Sequence, residues 1–184
     1  MKRKIMNLAE YKACICEGGA ERAIMDILLE NDLLIFSKEE LIEESVLSCR
    51  GAEEFQKRYL RKSFNGKISV IRVLDSRNEN FKLGKLGKAY QDKVNVVNIV
   101  TAPEIEMLII HSEGKYEDFT RSGKKPGDFC KQDMPKLRYR KKYDDVIRYF
   151  DSPTKLVNAI KIYHQKHKSR DNDELSLFDL LKDK

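Results

Sequence analysis

The chain has few cysteines, and none of them stands at a spacing that would give it a metal-binding or cross-linking role. Four cysteines occur in 184 residues, with no Cys-x₂-Cys pair and no ordered spacing to histidine: Cys14, Cys16, Cys49 and Cys130. This pattern argues against a disulfide framework and against a zinc site. Cys14 and Cys16 share one face of a predicted strand, so we expect both to act as small buried hydrophobic residues.

Long apolar runs and nucleotide-binding glycine motifs are also missing. No apolar run approaches the length of a membrane span, and the basic start, residues 1–4, is not followed by the apolar stretch of a signal peptide. We therefore expect a cytoplasmic protein with reduced thiols and no membrane partner. Neither Gly-x₄-Gly-Lys-Ser/Thr nor Gly-x-Gly-x-x-Gly occurs, which argues against a nucleotide-binding switch protein.

Basic residues exceed acidic residues only mildly, but they are unevenly distributed. The chain has 36 Lys and Arg against 30 Asp and Glu, a net charge of +6, and the bases cluster between residues 121 and 148. The run from Arg138 to Tyr143 interleaves them with aromatic residues that can stack on bases. Such a segment predicts RNA or DNA as a partner, with a solvated helical face as the alternative. The candidate contacts are Lys124, Lys125, Arg138, Arg140, Lys141 and Lys142.

Strand and helix signals alternate along the first part of the chain. The predicted strands are 11–16, 33–36, 67–74 and 94–100, and the predicted helices are 20–30, 38–45, 52–62, 81–90 and 103–111. This order predicts an α/β fold with a mostly parallel, Rossmann-like sheet flanked by helices. The fourth strand is apolar on both faces, so we expect it to be central.

The alternation of strand and helix signals stops in the last third of the sequence. We predict an α/β domain over residues 1–120 and a basic helical extension over residues 121–184 that packs on it. Helices are predicted over 143–150 and 154–168. The end of the chain, residues 174–181, is a short amphipathic segment, and it docks either on its own domain or on a partner.

Acidic residues follow two of the predicted strands directly. Glu17 ends the first strand at a Gly-Gly turn, Glu21 lies one helical turn later, and Asp75 ends the third strand. Ligands of open α/β sheets bind outside the carboxyl ends of the strands. Because Mg²⁺ takes carboxylate and phosphate oxygens, and glycines let phosphate approach a helix N-terminus, these residues predict metal-dependent phosphoryl transfer.

These residues resemble the TOPRIM domain, the metal-dependent fold of topoisomerases, primases, OLD-family nucleases and small RNA nucleases. Cys16-Glu17-Gly18 matches its first motif, a hydrophobic strand that ends in Glu-Gly, and Glu21 matches the acid one turn later. The second motif is a strand that ends in Asp-x-Asp. Here Asp75 supplies the first acid, Arg77 stands at the position of the second, and Glu79 is a candidate substitute two residues beyond.

The segment from Thr101 to His111 is similar to the RloB-like and OLD-like branch, in which a proline precedes a glutamate on a helix that ends near a histidine. Glu106 lies three residues after Pro103, as in that pattern, and His111 lies one residue closer. The resemblance covers Tyr11 to about His111. It implies a TOPRIM-type sheet, Mg²⁺ or Mn²⁺, and cleavage of RNA or DNA phosphodiesters, often in bacterial anti-phage defence.

The resemblance implies a set of roles for individual residues. The expected metal ligands are Glu17, Asp75 and Glu79, and the expected catalytic residues are Glu17, Glu21, Asp75, Arg77 and Glu106. Arg77 would either compete with the metal or contact the scissile phosphate. The main hypothesis is a Mg²⁺-dependent nuclease. The alternative is a catalytically impaired sensor or binding subunit of a defence complex, acting through a partner such as an ATPase or as a homo-oligomer.

Overall fold

Four parallel strands form the sheet of this protein, which we analyse as a computed structural model that describes residues 7–49, 51–60, 66–75, 81–84, 92–101, 104–140, 142–167 and 174–182. The strands are β1 (Tyr11–Cys16), β2 (Leu41–Leu47), β3 (Ile68–Leu74) and β4 (Val94–Val100). Their order is β2-β1-β3-β4, and each neighbouring pair is parallel. The predicted α/β class with a parallel sheet flanked by helices is confirmed.

The helices of the described residues are α1 (Gly19–Glu30), α2 (Ala52–Arg58), α3 (Glu106–Ser112), α4 (Tyr116–Ser122), α5 (Pro126–Gln132), α6 (Tyr143–Tyr149), α7 (Pro153–Lys166) and α8 (Leu177–Leu180). In α1, Ala20, Ile24, Ile27 and Leu28 recur at spacings of three and four and are all buried. That apolar stripe fixes the face of α1 that packs on the sheet. Among the described residues, no helix has the length and apolarity to cross a membrane.

The sheet separates two apolar cores. Cys14 and Cys16 of β1 point to the face covered by α1, α3 and α7, whereas Ala13 and Ile15 point to the face covered by α2. This alternation follows from the two-residue period of a strand. All four cysteines are free and buried, and burial raises the pKa of the Cys16 thiol well above its ordinary value. Cys14 and Cys16 therefore lie side by side as small core residues.

The second strand occurs later in the chain than the sequence predicts. The predicted strand 33–36 forms only an isolated antiparallel bridge, between Leu34 and Leu181. The predicted helix 38–45 is wrong, because those residues form a 3₁₀ turn (Lys38–Glu40) and then most of β2. The turn has a capping box made by Ser37 and Glu40. The capping box therefore starts a helical turn, as the sequence predicts, but the turn ends at Glu40.

Tertiary pairing explains why the chain after Glu40 forms a strand. Leu41, Val46 and Leu47 are buried, and each has a β1 residue as its pairing partner. The register shifts between these pairs, and Glu43 and Glu44 adopt positive φ angles of 61° and 49° within the irregular stretch. Such a bulge takes up extra residues while the apolar side chains stay in the core.

β4 lies at an edge of the sheet, and the prediction that it is central is wrong. Asn95 and Asn98 are exposed, whereas every residue of β3 is buried, including Ser69 and Arg72. The valines of β4 suggested burial on both faces. The two exposed asparagines are instead consistent with a strand at the edge of the sheet. Of the predicted helix 81–90, residues 81–84 are not helical, and the remainder lies outside the described residues.

The C-terminal helices contribute to the same core as the sheet. The predicted boundary after residue 120 falls inside α4, and Leu156 and Ile160 of α7 are buried in the cluster that contains α1. The segment 174–182 docks on its own chain, the first of its two predicted options. Its Leu177, Leu180 and Leu181 are buried, and the carbonyl of Leu175 accepts a hydrogen bond of 2.8 Å from the Val100 N–H.

A pair of histidines joins the end of α3 to the end of α7. Nε2 of His111 lies 2.7 Å from Nε2 of His167. Tyr116 stacks on the His111 ring at 4.7 Å, and Tyr163 stacks on the His167 ring at 4.4 Å. Burial lowers the pKa of His111 to about 4, assisted by the charges of His167 and Lys166. Burial and Lys166 also lower the pKa of His167.

We expect the protein to lose stability as the pH falls from about 6.5 towards 4, because the two histidines bind protons in the unfolded state near pH 6.5 but remain neutral when folded. The unfolded state then holds more protons, so the free energy of unfolding rises with pH. Urea unfolding at pH 7 and pH 5 measures the difference. It should be smaller in the double variant His111→Leu/His167→Leu.

The control is His164→Leu, which removes the remaining histidine of the chain and leaves the pair intact. It should retain most of the wild-type difference between the two pH values. An equal difference in the double variant and the wild type would show that the pair does not control acid stability.

Candidate active site

Glu17 and Asp75 meet at the carboxyl edge of the two central strands. Cys16 of β1 pairs with Val73 of β3, so the residues that follow the strands are neighbours. The Glu17 N–H donates to the Val73 carbonyl at 3.2 Å, and Glu17 Oε2 accepts a hydrogen bond of 3.0 Å from the Asp75 N–H. The two carboxyl carbons therefore lie within about 8 Å of each other, because the Asp carboxyl carbon lies at most about 4 Å from its own backbone nitrogen.

The point between β1 and β3 is the topological switch point of the sheet. The chain passes from β1 to β2 on one side, and then returns to β3 on the other side of β1. α1, which follows β1, packs on one face, whereas Phe81, which comes after β3, packs on the opposite face with α2. The helices that follow β1 and β2 thus pack on opposite faces of the sheet, and ligands of open α/β sheets bind at the strand ends of such a switch point.

Glu21 lies beside this edge and is buried, with 1% of its surface exposed. It stands in the first turn of α1, where a negative charge favours the helix dipole. A Cβ atom on Gly18 would lie 2.7 Å from Glu21 Oε2. A side chain at position 18 would therefore require the Glu21 carboxylate to shift from its buried position.

Glu106 is completely buried in the first turn of α3, where Tyr139 contacts it. The Tyr139 hydroxyl donates to Glu106 Oε1 at 3.2 Å, and Cys130 Sγ donates to the Glu106 carbonyl oxygen at 4.0 Å. Burial, and then the Glu106 charge, raise the pKa of Tyr139 far above its usual range, and the Glu21 charge contributes as well. Glu21 and Glu106 thus belong to one buried acidic region around this phenol.

Glu104 lies at the rim of the same acidic region. Its Oε2 accepts a hydrogen bond of 2.9 Å from the Gly127 N–H at the start of α5. A Cβ on Gly127 would lie 3.0 Å from Glu104 Oε2 and 3.8 Å from Glu106 Oε1. The charges of Glu106 and Glu104, after burial, help to raise the pKa of Cys130 to about 12. That thiol therefore stays protonated at neutral pH.

The basic run lies close to the Glu17 turn at the start of α6. Tyr143 opens α6, and a Cβ on Gly19 would lie 3.4 Å from the Tyr143 backbone nitrogen. Arg138, Arg140 and Lys142, which precede this contact, are all exposed. The cations that the sequence predicts as phosphate contacts therefore lead towards the turn that carries Glu17.

Ion pairs already engage part of the basic set. Arg140 and Arg148 both contact the buried carboxylate of Asp145, at 3.7 Å and 2.7 Å. Lys124 pairs with Asp133 at 2.6 Å, whereas Lys125 is exposed at the N-cap of α5. Arg138 and Lys142 are exposed members of the run that approaches Glu17.

One sequence interpretation is corrected at Tyr139. The sequence suggested that the aromatic residues of the basic run stack on bases, but Tyr139 is only 4% exposed and its hydroxyl is directed to Glu106. Tyr143 is 36% exposed and donates to Asp26 at 3.0 Å. The sequence does not reveal the role of Tyr139, because exposed cations alternate with an aromatic residue whether the ring faces nucleic acid or the protein core.

Several predicted site residues are not placed beside Glu17 and Asp75 by the structure. Arg77, Glu79 and Lys141 lie outside the described residues. His111, the histidine of the third matched segment, contacts His167 and lies about 7.5 Å along the α3 axis from Glu106. Within the described part of the chain, no three His, Cys, Asp or Glu side chains form a group that could hold a metal ion. The structure thus offers the pair Glu17 and Asp75, and a third ligand stays a prediction.

Comparisons with protein-family models, curated proteins and solved structures return no match. The resemblance to the TOPRIM domain consequently rests on the sequence motifs around Glu17, Asp75 and Glu106.

We expect Gly18→Ala to destabilise the protein by about 1–3 kcal/mol, because its methyl group must displace the buried Glu21 carboxylate. Gly51→Ala is the matched control. Gly51 is also a helix N-cap, and a Cβ there meets nothing within 4 Å. Urea unfolding of both variants measures the difference.

Removal of the Glu21 carboxylate should relieve the collision that Gly18→Ala creates. Gly18→Ala/Glu21→Ala should therefore lose less stability than the sum of the two single variants. Equal losses in Gly18→Ala and Gly51→Ala would show that Glu21 does not depend on the glycine.

Proposed function

We propose that this chain is a divalent-cation-dependent nuclease that cleaves RNA or DNA phosphodiesters. The observation that carries the proposal is the contact of the Glu17 carboxylate with the Asp75 backbone at the switch point of the sheet. Two acids at the ends of the two central strands give a crevice the oxygen ligands that Mg²⁺ and Mn²⁺ prefer. A place in bacterial anti-phage defence stays a prediction that the resemblance implies.

The donor set supports a hard cation. Glu17 and Asp75 would hold Mg²⁺ or Mn²⁺ through carboxylate oxygens, and Cys16, which precedes Glu17, is a core thiol whose pKa burial raises. A bound ion of this kind supplies charge stabilisation at phosphoryl oxygens and lowers the pKa of water. The Asp75 N–H holds the Glu17 carboxylate in one orientation, so that half of the pair is preorganised.

The charge distribution explains why cleavage should depend on the cation. Glu17 and Asp75 bring two carboxyl groups together at the sheet edge, and a phosphodiester carries negative charge as well. Repulsion of the substrate falls when a divalent cation occupies the crevice. Arg138, Arg140 and Lys142 flank this region and attract the nucleic-acid backbone. Their attraction acts without any requirement for a particular base.

A second candidate function is a binding module that has lost catalysis. The observation that favours it is that no group of three potential ligands occurs among the described residues. Such a module would bind nucleic acid and act through a protein partner, but it would not cut. Cleavage assays with Mg²⁺ and Mn²⁺ separate the two functions, since binding alone is common to both.

We expect Glu17→Gln and Asp75→Asn each to reduce cleavage by about 100-fold or more, since loss of an outer-shell partner alone costs about 10–100-fold. The assay measures Mn²⁺-dependent cutting of labelled single-stranded RNA, transfer RNA and duplex DNA. Glu53→Gln, an exposed acid on α2, is the control and should cut at the wild-type rate. Wild-type rates in both site variants would exclude the proposed pair.

We also expect nucleic-acid binding to depend steeply on salt and to weaken when Arg138, Arg140, Lys141 and Lys142 are changed together to Ala. Each lost phosphate contact should reduce the magnitude of the log–log salt slope by about 0.7–0.9. Fluorescence anisotropy at a series of salt concentrations measures the slope. Lys57→Ala, which removes a cation of α2, should leave the slope unchanged.

An unchanged slope in the fourfold variant would place the binding surface elsewhere or exclude nucleic acid as a partner. Circular dichroism of the variant checks that loss of the Arg140–Asp145 ion pair has not altered the fold.

A further inference from the structure

Tyr139 is the buried residue in the middle of an exposed basic run. Arg138 and Arg140 on either side are exposed, whereas Tyr139 is 4% exposed and Glu106, which it contacts, is 0% exposed. The Tyr139 hydroxyl donates to Glu106 Oε1 at 3.2 Å. One short segment thus presents two cations to solvent and one hydrogen-bond donor to the acidic region.

The backbone of this segment is fixed on both sides of Tyr139. Arg138 adopts a left-handed conformation with φ of 49°. The Arg140 N–H donates to Asp145 Oδ2 at 2.9 Å, and Asp145 itself is buried. The inward direction of Tyr139 therefore follows from a defined path of the chain. Burial and the Glu106 charge raise the pKa of the phenol, so at neutral pH it is always a donor.

We propose that Tyr139 is a positioning residue that couples the nucleic-acid-binding run to the acidic site through Glu106. The inference rests on the proposed nuclease function. The hydrogen bond orients the Glu106 carboxylate, and the neighbouring arginines hold the phosphate backbone against the same stretch of chain. Binding should then depend on the arginines, whereas the rate of the bound complex should depend on the tyrosine hydroxyl.

Tyr139→Phe tests this coupling, because it removes one oxygen and keeps the ring that fills the core. Tyr149→Phe is the matched control. The Tyr149 hydroxyl donates to Glu113 Oε1 at 2.8 Å, so it makes the same kind of bond at the opposite end of α3. Thermal unfolding followed by circular dichroism verifies that both variants fold.

The readout is the separation of kcat from KM on the nucleic acid that the wild type cuts, with Mn²⁺ present. Tyr139→Phe should lower kcat by about 10–100-fold, the usual effect of losing a hydrogen bond that orients an active-site carboxylate. KM, and binding measured without divalent cation, should stay within about twofold of the wild type, because no phosphate contact is lost. Tyr149→Phe should change neither constant.

A double-mutant cycle identifies Glu106 as the intermediary. If Tyr139 acts through Glu106, then Tyr139→Phe should cause no further loss of kcat in a Glu106→Gln background. Equal kcat in Tyr139→Phe, Tyr149→Phe and wild type would overturn the inference while the nuclease function stands, as would losses that multiply in the double variant. A wild type that cuts no substrate would overturn the proposed function, and this inference with it.

Discussion

The parallel pairing of β1 with β3 is the constraint on which the candidate site depends. It places Cys16 opposite Val73, so Glu17 and the residues after Leu74 leave the sheet at the same level. The Asp75 N–H then reaches the Glu17 carboxylate. Strand order and register thus place the two acids side by side at the carboxyl edge of the sheet.

Two further acids, Glu21 and Glu106, are buried in the first turns of α1 and α3. A side chain at Gly18 would meet the Glu21 carboxylate, and the Tyr139 hydroxyl donates a hydrogen bond to Glu106. Buried carboxylates without such support are strongly unfavourable. Acidic residues in an otherwise apolar core are characteristic of functional sites. The exposed cations on the run around Tyr139 supply the opposite charge from outside.

Sequence patterns predicted the central part of this arrangement well, for physical reasons. β1 and β3 are short apolar runs that stop at an acid, and both the strands and the position of their ends follow from that pattern alone. The edge strands were harder. The capping box at Ser37 is a true helix-start signal, and only pairing with β1 turns the following residues into β2. The valines of β4 resemble a central strand until Asn95 and Asn98 are seen to be exposed.

The contacts of single side chains were beyond prediction for a different reason. Tyr139 and Tyr143 occupy similar positions in a basic run, yet one is buried against Glu106 and the other is partly exposed beside Asp26. That difference arises from the left-handed backbone at Arg138 and from the packing of α6 on α1. The local sequence indicates neither feature. Arginine rarely adopts the left-handed conformation, so the residue type at position 138 does not predict it.

A crystal structure with bound Mn²⁺ would test the central claim most directly. Anomalous scattering locates the ion independently of any assumption about activity. The account predicts one anomalous peak at the carboxyl ends of β1 and β3, with oxygens of Glu17 and Asp75 in the first coordination shell. Full occupancy by Mn²⁺ at a different place, with no peak between these two carboxylates, would contradict it.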